Sequence, residues 1–372
     1  MGIRMNLAAK LRVARRAVGI STRKAAESLA PRYRISHATI ANYEKGITSP
    51  SLELMAALAE LYERPLKWFL ERGTSLTHIR YRNLPSKVRV ADRHRFEGEV
   101  HRWLDAYVAI EQHLGKPLRA EIGKLRAKGR ETAAELALRV RRELALPVEA
   151  PGPILSVVDV LDRFGIRTIE QPTELRIDGL AAKYEDEHVV VLNPAVSNDR
   201  CRLNAAHELG HILFGDCDGA APAETKTTET RAFDFASHFL LPNSRLKEAF
   251  TGQSVVRLVQ FKERFGISLA AMAYRAEKAR LIAKPQAKRL WIEFAKRGWK
   301  TDEPGRVRRD RATRFEELLD SAILEGRMSL REAAATAGVR PEEIRRRIDF
   351  AMGIDGAREA DGEPPIIAFN GH

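Results

Sequence analysis

Cysteine is nearly missing from this chain of 372 residues: only Cys201 and Cys217 occur. Two thiols do not make a disulfide framework, and a reducing cytoplasm is the expected setting. No run of about eighteen apolar residues is present, which excludes a membrane-spanning helix. The opening Met1-Gly2-Ile3-Arg4-Met5 lacks the apolar stretch of a signal peptide. Negative charge is scarce in one place only. Residues 1–150 hold 29 Lys plus Arg against 16 Asp plus Glu, whereas residues 151–372 hold 34 of each. The whole formal excess of +13 therefore sits in the first part of the chain, as expected for a segment that meets a polyanion.

Chemistry is concentrated in His207-Glu208-Leu209-Gly210-His211. Residues four apart on an α-helix share a face, so His207 and His211 can hold one zinc ion with neutral imidazoles. Glu208 falls beside them, where a general base takes a proton from a metal-activated water. The flanks Ala205, Ala206, Leu209, Ile212, Leu213 and Phe214 predict a buried helix, an unusual place for unpaired polar groups. Zinc also needs a third protein ligand. Of the downstream carboxylates, Asp216 and Asp218 lie in a Gly-rich turn too close to the helix end, and Glu224 lies in a loose Ala/Pro loop. Glu229 opens a helix that runs to Pro242 and can project from its first turn, ahead of Asp234. It is the expected ligand, giving one Zn2+ per chain held by His207, His211 and Glu229. His238, nine residues on, faces the opposite side, and Cys217 reads as a buried free thiol.

The first seventy residues predict a compact set of short helices. Apolar spacing over residues 6–18 ends at Gly19; Ser21 or Thr22 caps a second helix; Ser36 caps a third, His37 to Glu44, closed by Gly46; a fourth follows Ser49-Pro50-Ser51. The stretch from Ser21 to Glu63 resembles the helix-turn-helix of the XRE, phage-repressor-like family, over roughly residues 5–72. That resemblance implies a helix from Ser36 in the DNA major groove, with His37, Ala38 and Asn42 toward bases and Arg34, Thr39 and Lys45 toward phosphates. Ile40 and Tyr43 read as core. The segment Ala30-Pro31-Arg32-Tyr33-Arg34 makes the turn about four residues longer than the family's usual pattern.

Residues 73–150 read as a helical connector, including an amphipathic helix from Arg95 to Leu114 and another from Thr132 to Leu144. After Pro151-Gly152-Pro153, a helix (154–164) and a strand (166–170) precede a hairpin of 179–184 with 188–192. This small sheet leading into the two-histidine helix resembles the ImmA/IrrE family of zinc metallopeptidases, over roughly residues 150–285. The motifs are Asn193 after the hairpin, Arg202, His-Glu-x-x-His, Glu-x-x-Ala, and Phe235-Ala236 leading to Leu240-Leu241-Pro242. It implies Glu208 as base and the same three ligands. One position departs from the family: where Asn or Asp usually orients a zinc-bound histidine, four residues after the ligand Glu, this chain has Phe233. Asp234, one step round the helix, is the expected substitute, or else the metal is held less tightly.

Residues 286–352 read as a helical module with a second helix-turn-helix-like pair around Gly338, and residues 353–372 as a disordered tail. The expected fold is mainly α with a small β-sheet: an all-α repressor-like domain (1–72), the connector (73–150), an α+β zincin-like domain (151–285) and the C-terminal helices. The expected function is a cytoplasmic transcriptional or stress-response regulator that binds double-stranded DNA and cleaves a protein substrate such as a repressor. Repressor-like domains commonly dimerise, so a homodimer is expected. The substrate is expected along the Val189–Leu192 strand as an added strand, with Tyr184 or Arg202 as oxyanion donor. The alternative is a non-catalytic transcription factor whose zincin-like domain senses a ligand or metal; Phe233 is the feature that favours it.

Overall fold

The computed structural model describes residues 2–30, 32–64, 66–70, 76–85, 87–119, 121–147, 149–184, 187–217 and 225–353. Pro31, Asp218, Glu224 and the tail expected beyond Gly353 lie outside the described residues. Five helices come first: α1 (Gly2–Ala17), α2 (Thr22–Leu29), α3 (His37–Glu44), α4 (Leu52–Leu61) and α5 (Leu66–Leu70). Serine starts three of them. The side chains of Ser21, Ser36 and Ser51 accept from the backbone N–H three residues on, at 3.1, 3.2 and 3.2 Å, satisfying donors that the helix leaves open. Leu11, Ala14, Ala25, Leu29, Ile40, Met55 and Leu58 form their common core. Arg15 of α1 clamps Glu44 of α3 with two hydrogen bonds of 2.5 and 2.8 Å, a fork that fixes orientation as well as position.

The connector is not all helix. Leu76–Arg82 is a strand, β1, ahead of α6 (Val90–Leu114). It pairs antiparallel with β3 (Gly179–Tyr184), and its register shifts by one residue between Thr77 and Arg80, with His78 at φ +52°. This bulge explains why the sequence pattern hid the strand. Leu76 packs on the same core as Ile79 and Tyr81, and the extra residue breaks the period-two alternation between them.

Next come α7 (Ala133–Glu143), α8 (Val157–Arg163) and β2 (Arg167–Glu170), then β3 and β4 (Glu187–Leu192). The sheet order is β1-β3-β4-β2, with β4 antiparallel to β3 and parallel to β2. Ala181, Val190 and Leu192 belong to a core shared with α9 (Asn198–Phe214) and α10 (Lys226–Leu240). Leu180, Ala182, Val189 and Val191 join the core around α6. Covered on both faces, these strands read as near-continuous apolar runs.

Helices α11 (Asn243–Ala249), α12 (Val255–Phe265), α13 (Leu269–Lys278) and α14 (Lys284–Lys296) follow. Then α15 (Arg314–Leu324), α16 (Leu330–Ala337) and α17 (Pro341–Met352) complete the described chain. The last three bury Phe315, Leu319, Ala334 and Ile344 against Trp103 and Tyr107 of α6. Arg347 is buried and donates to the Glu316 carbonyl at 3.1 Å, so α17 spends that arginine on packing. Among the described residues, no helix is long and apolar enough to cross a membrane.

Candidate metal centre

Helix α9 is buried without interruption from Cys201 to Leu213, so its polar groups need partners inside the protein. Gly210 lets α10 come close: a Cβ there would stand 3.0 Å from the Phe235 ring and 3.2 Å from the Ala232 carbonyl. One turn before Ala232, Glu229 then reaches both histidines. The His207 and His211 Nε2 atoms are 2.9 Å apart, and the Glu229 oxygens lie 3.2 Å from the first and 3.0 Å from the second. Two imidazole nitrogens and a carboxylate, with ligand atoms all within 4.8 Å of one another, are a donor set that a tetrahedral zinc uses. The three residues form a group able to hold a metal.

The two histidines differ in their electrostatics. Burial, with Arg82 adding to it, pushes the His207 imidazole down to about 4, leaving it neutral as a ligand must be. Burial opposes charge on His211 as well, but the hydrogen bonds that ring donates to Asp216 and Glu229 outweigh it and hold it at about 9, so a metal binding there displaces its proton. The Glu229 carboxyl is held far below its usual range: burial works against this, and the two histidines overcome it. Glu208 is raised by burial, and its Oε2 is buried with no hydrogen-bond partner among the described residues. An orphaned carboxylate oxygen next to a three-donor set is where an incoming water or substrate group belongs.

Asp216 orients the outer side of His211. Gly215 ends α9 in the left-handed region at φ +79°, which folds the chain back so that Asp216 Oδ2 meets His211 Nδ1 at 2.9 Å. Arg231 holds the other Asp216 oxygen at 2.7 Å. The expected substitute, Asp234, instead binds Lys278 at 2.7 Å, and Phe233 packs edge-on against Tyr274. The turn that keeps Asp216 out of the donor group brings it to the far nitrogen of the histidine.

Three other expectations do not hold. Strand β4 is paired on both sides, so no substrate can add to Val189–Leu192; its hydrogen bonds are already used. Tyr184 gives its hydroxyl to Asp105 at 2.7 Å. Arg202 donates to the Ile154 carbonyl at 2.6 Å and pairs with buried Asp310. Neither of these is an oxyanion donor at the triad. The cations that do reach it were missed. Arg82 Nη1 lies 2.9 Å from Glu229 Oε2 and 3.0 Å from His207 Nε2, and Arg80 Nη2 lies 3.3 Å from Glu229 Oε1. The alternating Arg80-Tyr81-Arg82 was the available signal.

In the N-terminal helices, Arg34, Ser36, His37, Ala38 and Lys45 are exposed, and Thr39 and Asn42 are half-buried. Ser36 and Thr39 are tied together, their hydroxyls 3.0 Å apart. Ile40 is buried, and Tyr43 packs partly buried on the same core.

A mostly helical domain carrying such an exposed helix, beside an α+β domain with a His/His/Glu group whose histidines are buried, defines a regulator class with a metallopeptidase-like part. Family comparison gives the particulars: residues 8–69 match the helix-turn-helix family model, and residues 161–277 match the family model described as IrrE N-terminal-like domain. No curated protein matches the chain. The chain is thus a DNA-binding regulator, by its helix-turn-helix, joined to a metallopeptidase-like domain.

Proposed function

We propose that this protein binds DNA through α3 and cleaves a regulator protein, such as a transcriptional repressor, at a zinc centre formed by His207, His211 and Glu229. The observation that carries the reading is the convergence of those three donors beside the partnerless oxygen of buried Glu208. Zinc bound there supplies Lewis-acid polarisation of a peptide carbonyl and activation of water. Glu208, its proton affinity raised by burial, takes the proton of the attacking water and delivers it to the leaving amine. Asp216 fixes the ring of His211 through Nδ1, which keeps Nε2 turned to the centre. The rival reading, a sensor without turnover, draws on Phe233; Asp216, bonded to His211 from another element, supports the catalytic reading instead.

On the DNA side, His37, Ala38 and Asn42 are assigned to base edges, and Arg34, Thr39 and Lys45 to phosphates. Ser36 acts as the cap that aims the first turn. Zinc content of the wild type beside Glu208→Gln and Glu229→Ala tests the centre. About one zinc per chain, kept in Glu208→Gln and lost in Glu229→Ala, is expected, with cleavage of a co-purified repressor lost in both variants. No zinc in the wild type after reconstitution would overturn the peptidase reading.

A further inference from the structure

Strand β1 lies where an extended peptide would dock. It runs antiparallel along β3 at the outer edge of the sheet, the arrangement by which sheets take up peptides as added strands. Its bulge after Thr77 sets its side chains: the extra residue places Arg80 and Arg82 opposite Ala181 and Gly179, on the face that carries the triad. Without it, the same two side chains would point to the α6 face, where Ile79 and Tyr81 now pack.

Arg82 stands about as far from two of the donor atoms as those donors stand from one another, 2.9 and 3.0 Å. It therefore caps the corner that a fourth ligand must use. With Arg80 on the other oxygen, both carboxylate oxygens of Glu229 are held by guanidinium groups. A guanidinium stays protonated and has no lone pair to offer a metal, so it repels a dication at this distance instead of joining it. The strand and the ion compete for Glu229. The strand is also the least buried of the four. No residue of β1 is fully buried, whereas β2 is buried throughout and β3 and β4 have one half-buried residue each.

We propose that the β3 edge over the triad is a docking site for an extended segment bearing arginines two residues apart, and that residues 76–82 of this chain are its resident occupant. Docked, the strand closes the centre; filling the centre with metal and substrate requires it to lift off. This rests on the metal-centre reading above and adds its regulation.

Hydrogen exchange on the full-length protein, metal-free and zinc-loaded, tests it together with zinc affinity measured by chelator competition. Zinc should speed exchange of the 76–82 amides tenfold or more while leaving the β3–β4 pairs unchanged. Arg82→Met, which keeps the aliphatic stem and removes the charge, should bind zinc at least tenfold more tightly than the wild type. Retained β3–β4 protection shows that this variant is folded; should it misfold, the wild-type exchange result decides alone. If zinc binds and is lost in His211→Ala, yet 76–82 stay protected or folded Arg82→Met gains no affinity, β1 is a permanent wall. The proposal is then overturned and the metal centre stands. If neither wild type nor Arg82→Met binds zinc, the metal-centre reading falls and takes the proposal with it.

Discussion

Two of the histidine-bearing helices, α3 and α9, are built for opposite ends. Helix α3 begins with exposed His37 and buries only Ile40 and Glu44; its side chains are offered to whatever approaches. Helix α9 buries His207, Glu208 and His211 almost completely. A groove-reading helix must present donors and acceptors to base edges through solvent. A metal centre must instead remove water, so that burial sets protonation and outer hydrogen bonds set ring orientation. The same residue type is placed for different chemistry because one environment is open and the other closed.

Substitutions can break this contrast from either side. The largest expected effect is Glu229→Ala, which should weaken zinc by more than about 100-fold, since even an outer partner is worth 10–100-fold. DNA affinity of that variant should be unchanged in a gel-shift titration; a parallel loss would mean the two helices are not independent. Asp216→Asn comes next, with zinc affinity down about 10–100-fold, while Asp234→Asn should leave it within error. Equal losses would mean that Asp234 shares the orienting role. Asn42→Ala should cost ~1–3 kcal/mol of sequence-specific binding with zinc content intact. Lys45→Ala should lower affinity for all sequences alike and reduce the salt slope by about one.

Much of this was legible in the sequence because it follows local rules. Serine caps and glycine stops mark α2, α3, α4 and the end of α9, and the hairpin shows as two apolar runs around acidic residues. The spacing of His207 and His211 needs only helix geometry. What failed depends on distant parts of the chain. The bulge in β1 broke the alternation that would have revealed a strand, and with it Arg80 and Arg82 were lost to view. Arg202 is near His207 in sequence but about 140° away around the helix, so it turns to Asp310 instead of the triad. Asp216 was judged by chain distance, and a left-handed glycine reversed the chain under it. The interior place of β4 could not be read without knowing that β1 and β2 flank the hairpin.

The smallest expected effects sharpen the contrast at the helix starts. Ser36 accepts the Thr39 N–H at 3.2 Å on an exposed surface, so Ser36→Ala should cost about 1 kcal/mol of stability and fray the turn that holds His37 and Ala38. Ser51→Ala removes an equivalent cap from α4 and serves as the matched control: a similar loss in a denaturant titration, but DNA affinity retained. Ser197, the residue before α9, makes no side-chain cap hydrogen bond. That helix is held by its continuous burial, so Ser197→Ala should change stability by no more than about 0.5 kcal/mol. A loss as large as that of Ser36→Ala would show that α9 depends on its first turn after all, and that the buried helix and the exposed one are started by the same device.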